Sequence, residues 1–121
     1  MPLMKIAAVQ MVSTPDVGRN LEAAARGVAE AARAGAGLVA LPEYFCLIGR
    51  RDTDKLAHAE PPGDGPIQRF LADTARQHGV WLIGGTLPLA AGDGRVLNSN
   101  CVFAPYGTLA AWLVDVVNVL T

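Results

Sequence analysis

Residues 37–46, Gly-Leu-Val-Ala-Leu-Pro-Glu-Tyr-Phe-Cys, restrict the fold more than any other stretch. Leu38 to Leu41 run apolar and uncharged, the pattern of a short strand covered on both faces. Pro42 has no N–H to donate to a ladder, so the strand stops there. Glu43 comes next, with Tyr44 and Phe45 behind it. A carboxylate therefore stands at the carboxyl end of a buried strand, beside two aromatic rings. In open α/β sheets ligands bind at that edge. A carboxylate in an apolar, aromatic setting can serve as a base near neutral pH. The competing reading is a solvated glutamate in a strand-to-loop turn, and these residues alone leave both open.

The flanks supply a β-α-β unit. Lys5 to Val12 is an apolar, β-branched run of strand length. Ser13-Thr14-Pro15-Asp16 stops it, and Thr14 before Pro15 resembles a helix cap with proline in the first turn. From about Asn20 to Ala34, Leu21, Ala25, Val28 and Ala32 share one helical face, with Arg19, Glu22, Arg26, Glu30 and Arg33 mostly off it. Gly35 and Gly37 end that helix. A helix of this length is the usual crossover between parallel strands.

Residues 47–65 read as a long loop, of the kind that is often functional. Arg50 and Arg51 in it could bind a substrate carboxylate; the alternative is a solvated loop with Arg51 near Asp52 or Asp54. Pro66 opens a second helix and Gly79 closes it, with Ile67, Phe70, Leu71, Thr74 and His78 inside and Gln68, Asp73 and Arg76 outside. His78 in the last turn suits the helix dipole better than catalysis. His58 has no evident partner. Val80 to Leu87 is a third strand, ended by Pro88. Its Gly84-Gly85 pair fits close backbone packing and lacks the lysine of a phosphate loop. Gly92-Asp93-Gly94 is a tight turn. Val96 to Phe103 alternates as a fourth strand, and a fifth begins at Thr108.

Composition narrows the class. The 121 residues suit one small domain. At 51% hydrophobic and 17% charged they can bury a core and are not a disordered chain. A net charge of −1 gives nucleic acid or an anionic membrane nothing to attract. No run reaches the ~18 apolar residues of a membrane span. The N-terminus has no signal-peptide pattern, so the expected compartment is the cytoplasm and Cys46 and Cys101 are expected as reduced thiols. They form no metal-ligand spacing, and Cys101 on the apolar side of its strand behaves as a small hydrophobe.

An ordered set of short matches then resembles a known family. The set comprises Lys5-Ile-Ala-Ala-Val-Gln-Met, Asn20-Leu21, Leu41-Pro42-Glu43-Tyr44-Phe45, Gly65-Pro66-Ile67, Trp81-Leu82-Ile83-Gly84-Gly85-Thr86 and Asn98 to Thr108. Together they resemble the N-terminal half of the nitrilase superfamily, the carbon–nitrogen hydrolases. The loop with Gly49-Arg50-Arg51-Asp52 and Glu60-Pro61 looks most like the branch of deaminated-glutathione amidases and ω-amidases. The resemblance implies the N-terminal half of an α-β-β-α sandwich, an α/β fold, paired with a second subunit as a dimer. It implies a Glu-Lys-Cys triad acting on a small amide substrate, without metal or cofactor. The thiolate attacks the amide carbon, and ammonia or an amine leaves. Glu43 matches the general base, which activates the thiol and then the water. The lysine would stabilise the oxyanion.

The likeness runs to about residue 111, and residues 112–121 diverge from it. No lysine follows Lys55, and neither Cys46 nor Cys101 stands in the family's nucleophile context. Cys46, three residues past Glu43, is a remote alternative nucleophile. Of the expected triad only Glu43 is present, so the expectation is an inactive, truncated or frame-shifted chain. The alternative is a non-catalytic interaction domain that pairs with a full-length relative. A half sandwich would leave one sheet face bare and make the product aggregation-prone or dependent on a dimer.

Overall fold

The structure is a computed structural model that describes residues 3–51 and 53–115. The elements run β1 (Lys5–Ala8), α1 (Val17–Arg33), β2 (Ala36–Ala40), α2 (Asp54–His58), α3 (Pro66–His78), β3 (Trp81–Ile83), β4 (Leu87–Ala90), β5 (Val96–Phe103) and β6 (Leu109–Asp115). β1, β2 and β3 are parallel neighbours, joined by crossovers that carry α1 and α3. β3 and β4 both pair antiparallel with one edge of β5, and β6 pairs with the other edge. The fold is thus mixed α/β, with the expected β-α-β units at its centre.

Both long helices lie on one face of the sheet, and the core forms there. Val39, Leu82, Leu71, Val28 and Ala24 are fully buried, with Phe103 nearly so. Each large aliphatic side chain so placed contributes about 1.5–3 kcal/mol. Among the described residues nothing covers the other face. The paired row Ile6, Leu38 and Trp81 points that way, and Ile6 is 71% exposed. This corrects one expectation: β2 is covered on one face only, with Val39 buried and Leu38 half-buried. The uniform apolar run could not show it, because Leu38 carries the same pattern as a residue packed on both sides.

The elements also depart from the sequence reading at their ends. α1 begins at Val17, because Asp16 rather than Thr14 caps it: its Oδ1 accepts from Arg19 N at 3.1 Å. The fully enclosed line of α1 is Asn20, Ala24 and Val28, so a polar residue opens its inner face. β1 stops at Ala8 rather than Val12. The stretch read as one strand from Val80 to Leu87 is two. Between the paired ends, Gly84, Gly85 and Thr86 face only Cys101 and Asn100, which is a bulge. Pro88 lies inside β4 instead of ending a strand. An outer strand tolerates it, and its carbonyl accepts from Glu60 N at 3.2 Å. Residues 116–121, within the stretch expected to diverge, lie outside the described residues.

The bulge exists for a packing reason. Gly85 has φ +59°, and a Cβ there would overlap the carbonyl oxygen of Pro42. The strand end that carries Glu43 therefore rests directly on backbone. Gly85→Ala combines an unfavourable left-handed conformation with that clash. It is expected to lower the unfolding free energy by at least about 2 kcal/mol, measured as a reduced urea midpoint at unchanged slope.

Candidate active site

Glu43 lies at the carboxyl end of β2, where the strand pattern placed it, but its side chain is exposed. The apolar enclosure expected around the carboxylate is absent from the described residues: Phe45 is fully buried, Tyr44 half-buried, and neither encloses it. What the structure supplies instead is a fixed backbone. Leu41 N donates to Ile83 O at 2.9 Å just before the turn, and Phe45 N donates to Pro42 O at 3.2 Å across it. Tyr44 N donates to Thr86 Oγ1 at 2.7 Å. Asn100 Nδ2 donates to Gly85 O, which steadies the bulge that presents Thr86.

The far side of the turn is held from α1. Asn20 Nδ2 donates to Cys46 O at 2.8 Å and to Thr14 O at 2.7 Å. Its Oδ1 accepts from Thr14 N at 2.8 Å and Thr14 Oγ1 at 2.9 Å. Ser13 Oγ donates to Phe45 O at 3.2 Å. One buried amide thus joins the β1–α1 connection, α1 and the turn after Glu43. Sequence reasoning quoted Asn20 only as a match. The available signal was a polar residue beginning the otherwise apolar line Asn20, Ala24, Val28, because an amide enclosed there must be satisfied.

Tyr44 has φ +56°, the only positive value at a non-glycine among the described residues. Its ring carries Lys55, whose Nζ lies 4.3 Å from the centroid and donates to Tyr44 Oη at 3.0 Å. Lys55 belongs to α2, a short helix inside the stretch read as a loop. Asp54 ties that loop down, its Oδ2 accepting from Arg50 N at 2.8 Å and Arg51 N at 3.2 Å. Asp54 therefore meets the backbone of the arginine pair. Asp52, its other expected neighbour, lies outside the described residues.

Glu60 was read as loop, yet it is 5% exposed. Its carboxylate accepts from Ile67 N at 2.7 Å, Gln68 N at 3.1 Å and Gln68 Nε2 at 3.0 Å, capping α3. Gln68, expected outside, is buried by this clip. A cavity of about 400 Å³ lies beside it, lined in part by His58, Glu60, Asp64 and Arg69. Among the described residues no cluster of three or more His, Cys, Asp or Glu side chains could hold a metal ion, and no helix is long and apolar enough to cross a membrane.

Both thiols are shut in. Burial pushes Cys46 from 9.0 up to about 12, with the Glu60 charge adding to the rise and a backbone hydrogen bond opposing it. Burial, helped by Glu60, pushes Cys101 up to about 11. Neither provides the thiolate a nucleophile needs at neutral pH. Both pKa values are raised by folding, so the stability they protect is complete below about 9 and declines as pH rises from there towards 11 and 12. At pH 8 iodoacetamide should label neither thiol of the folded chain and both in urea. Replacing both cysteines with alanine should flatten the loss of stability above pH 9.

The carbon–nitrogen hydrolase family profile matches residues 5–116. An omega-amidase of Xenopus tropicalis is 34% identical over 110 residues, which is 90% of this chain and 38% of that protein. A deaminated glutathione amidase of Synechocystis is 35% identical over 103 residues, covering 84% of this chain and 37% of that protein. A human deaminated glutathione amidase is 42% identical over 81 residues, covering 66% and 24%. The chain thus spans less than two fifths of the length of these curated relatives. Among solved structures, a Saccharomyces cerevisiae member of branch 10 of the nitrilase superfamily superposes with a TM-score of 0.83 at 26% identity, over 93% of this chain and 44% of its own. An amidase from Nesterenkonia sp. AN1 does so at 0.81 and 25% identity, over 94% and 44%. By its profile match and by these relatives, the chain belongs to the carbon–nitrogen hydrolase family.

Proposed function

We propose that this chain contributes the glutamate-bearing part of an amidase that hydrolyses non-peptide C–N bonds of small amides, with Glu43 as the general base. The observation that carries this reading is an exposed carboxylate on a backbone fixed on both sides, at the carboxyl end of a central strand. Family membership and the amidase relatives support the reaction class. A base needs reach to solvent-borne substrate and a set position more than it needs enclosure, and Glu43 has both.

In this reading Glu43 takes the proton from a thiol, the thiolate bonds to the amide carbon, and the C–N bond breaks as Glu43 passes that proton to the departing nitrogen. Glu43 then takes a proton from water, whose oxygen bonds to the thioester carbon, and the C–S bond breaks as that proton returns to the sulfur. Cys46 and Cys101 are unsuited to the attack, being buried and protonated. Lys55 is engaged with Tyr44. These 121 residues alone are therefore expected to release no ammonia from an ω-amide, and measurable turnover by the purified chain would contradict that.

The role of Glu43 is tested in a chimera, in which this chain replaces the matching segment of the Xenopus tropicalis omega-amidase. Ammonia release should fall by roughly a hundredfold to ten-thousandfold on Glu43→Gln, with the thermal transition unmoved. Full activity in that variant would overturn the assignment.

A further inference from the structure

The strand register carries one apolar row right across the sheet. Ala8 pairs with Ala40, Ala40 with Ile83, Ile83 with Val102, and Val102 with Ala111. Paired residues point to the same face. This row faces away from both long helices, because the residues that alternate with it, Val39, Leu82 and Phe103, are the ones buried under α1 and α3. A second row beside it, Ile6, Leu38 and Trp81, carries large side chains. Leu113, paired with Asn100, stands on the other flank. Neither row contains a charged residue, and the Asn100 amide is engaged by Gly85 O. Ile6, Trp81 and Leu113 are all exposed.

A contiguous apolar surface of this kind marks an interaction site once it passes a few hundred Å². β1, β2, β3, β5 and β6 lie side by side, about 24 Å across at ~4.8 Å per strand, and a band of about five residues runs ~17 Å along them. Flat, that is on the order of 400 Å² per copy, and projecting side chains add to it. Two such faces together come to the ~1,000 Å² at which a specific interface begins. The chain's own remaining segments cannot supply the cover. α1 and α3 are committed to the opposite face, and residues 116–121 span at most about 20 Å even fully extended, the width of one strand's cover. We propose that a second copy of this chain packs on this face, sheet against sheet, about a two-fold axis along the alanine-rich row. An isologous contact asks only that a patch suit itself, and an uncharged apolar patch does so without repulsion. The small side chains of the central row let the sheets approach, with the Ile6, Leu38 and Trp81 row of one copy beside that of the other rather than upon it. The inference does not rest on the role of Glu43.

The test is sedimentation velocity of the purified 121-residue chain between about 1 and about 200 µM. It should show a monomer–dimer equilibrium with a Kd on the order of 10 µM, as an interface at the low end of the specific range implies. Ile6→Lys sets a charge into the contact from an edge strand and should weaken the dimer by at least about tenfold. Tyr106→Ser removes an exposed aromatic from the turn before β6, off this face, and should leave the Kd unchanged. A second readout needs no charged substitution. Trp112 pairs with Cys101 on the helix side, so Trp112→Phe leaves Trp81 as the sole tryptophan, inside the proposed contact. Trp81 emission should move to the blue as concentration rises, with the midpoint that sedimentation gives. A chain that stays monomeric at about 200 µM, assembly that runs past the dimer, a dimer unaltered by Ile6→Lys, or Trp81 emission that ignores dimer formation would each overturn the inference.

Discussion

The side-chain amide of Asn20 makes four hydrogen bonds from a position 1% exposed to solvent. Two of its partners are the N–H and C=O of Thr14, which pin the connection from β1 into α1. A third is the carbonyl of Cys46, in the turn that leaves β2. Enclosed backbone groups must be satisfied, and leaving one open costs about 1–3 kcal/mol. The turn after Glu43 has no helix or ladder to satisfy it, so Asn20 and Ser13 do so from one side. Thr86 does so from the other. The position of the carboxylate follows from these bonds.

The same constraint explains the sheet's irregularity. β3 and β4 could have run as one strand against β5. The bulge at Gly84, Gly85 and Thr86 interrupts them, and it brings Gly85 against the Pro42 carbonyl and Thr86 under the Tyr44 N–H. Regular pairing is given up at one place so that a loop can be held at another, a common use of bulges near functional sites. The thiols sit on the opposite side of this division. Cys46 lies inside the turn it helps to fill, its Sγ 3.7 Å from Thr86 O, and serves packing rather than chemistry.

Much of this was legible in the residues. Pro42 ending an apolar run placed Glu43 at a strand's carboxyl end, and Gly35 and Gly79 marked the helix stops where the structure has them. The ordered matches from Lys5 to Thr108 carried the family. What stayed hidden depends on contacts between distant segments. Nothing near Asn20 names Cys46, and nothing near Tyr44 names Lys55 or Thr86. The five residues of α2 are too short for a helical period to register. Gln68 looked like a surface residue of α3 because its polarity fits solvent as well as it fits Glu60. The exposure of Glu43 and the bare face behind Leu38 depend on what packs above the sheet, which no local pattern encodes.

Native-state hydrogen exchange reads the central claim, that the Glu43 turn is held as firmly as the sheet that presents it. The Tyr44 amide, bonded to Thr86, should exchange within about tenfold of the Leu41 amide, bonded to Ile83, because both open only when the core does. A Tyr44 amide that exchanges as fast as the exposed Gly92–Gly94 turn would contradict the account.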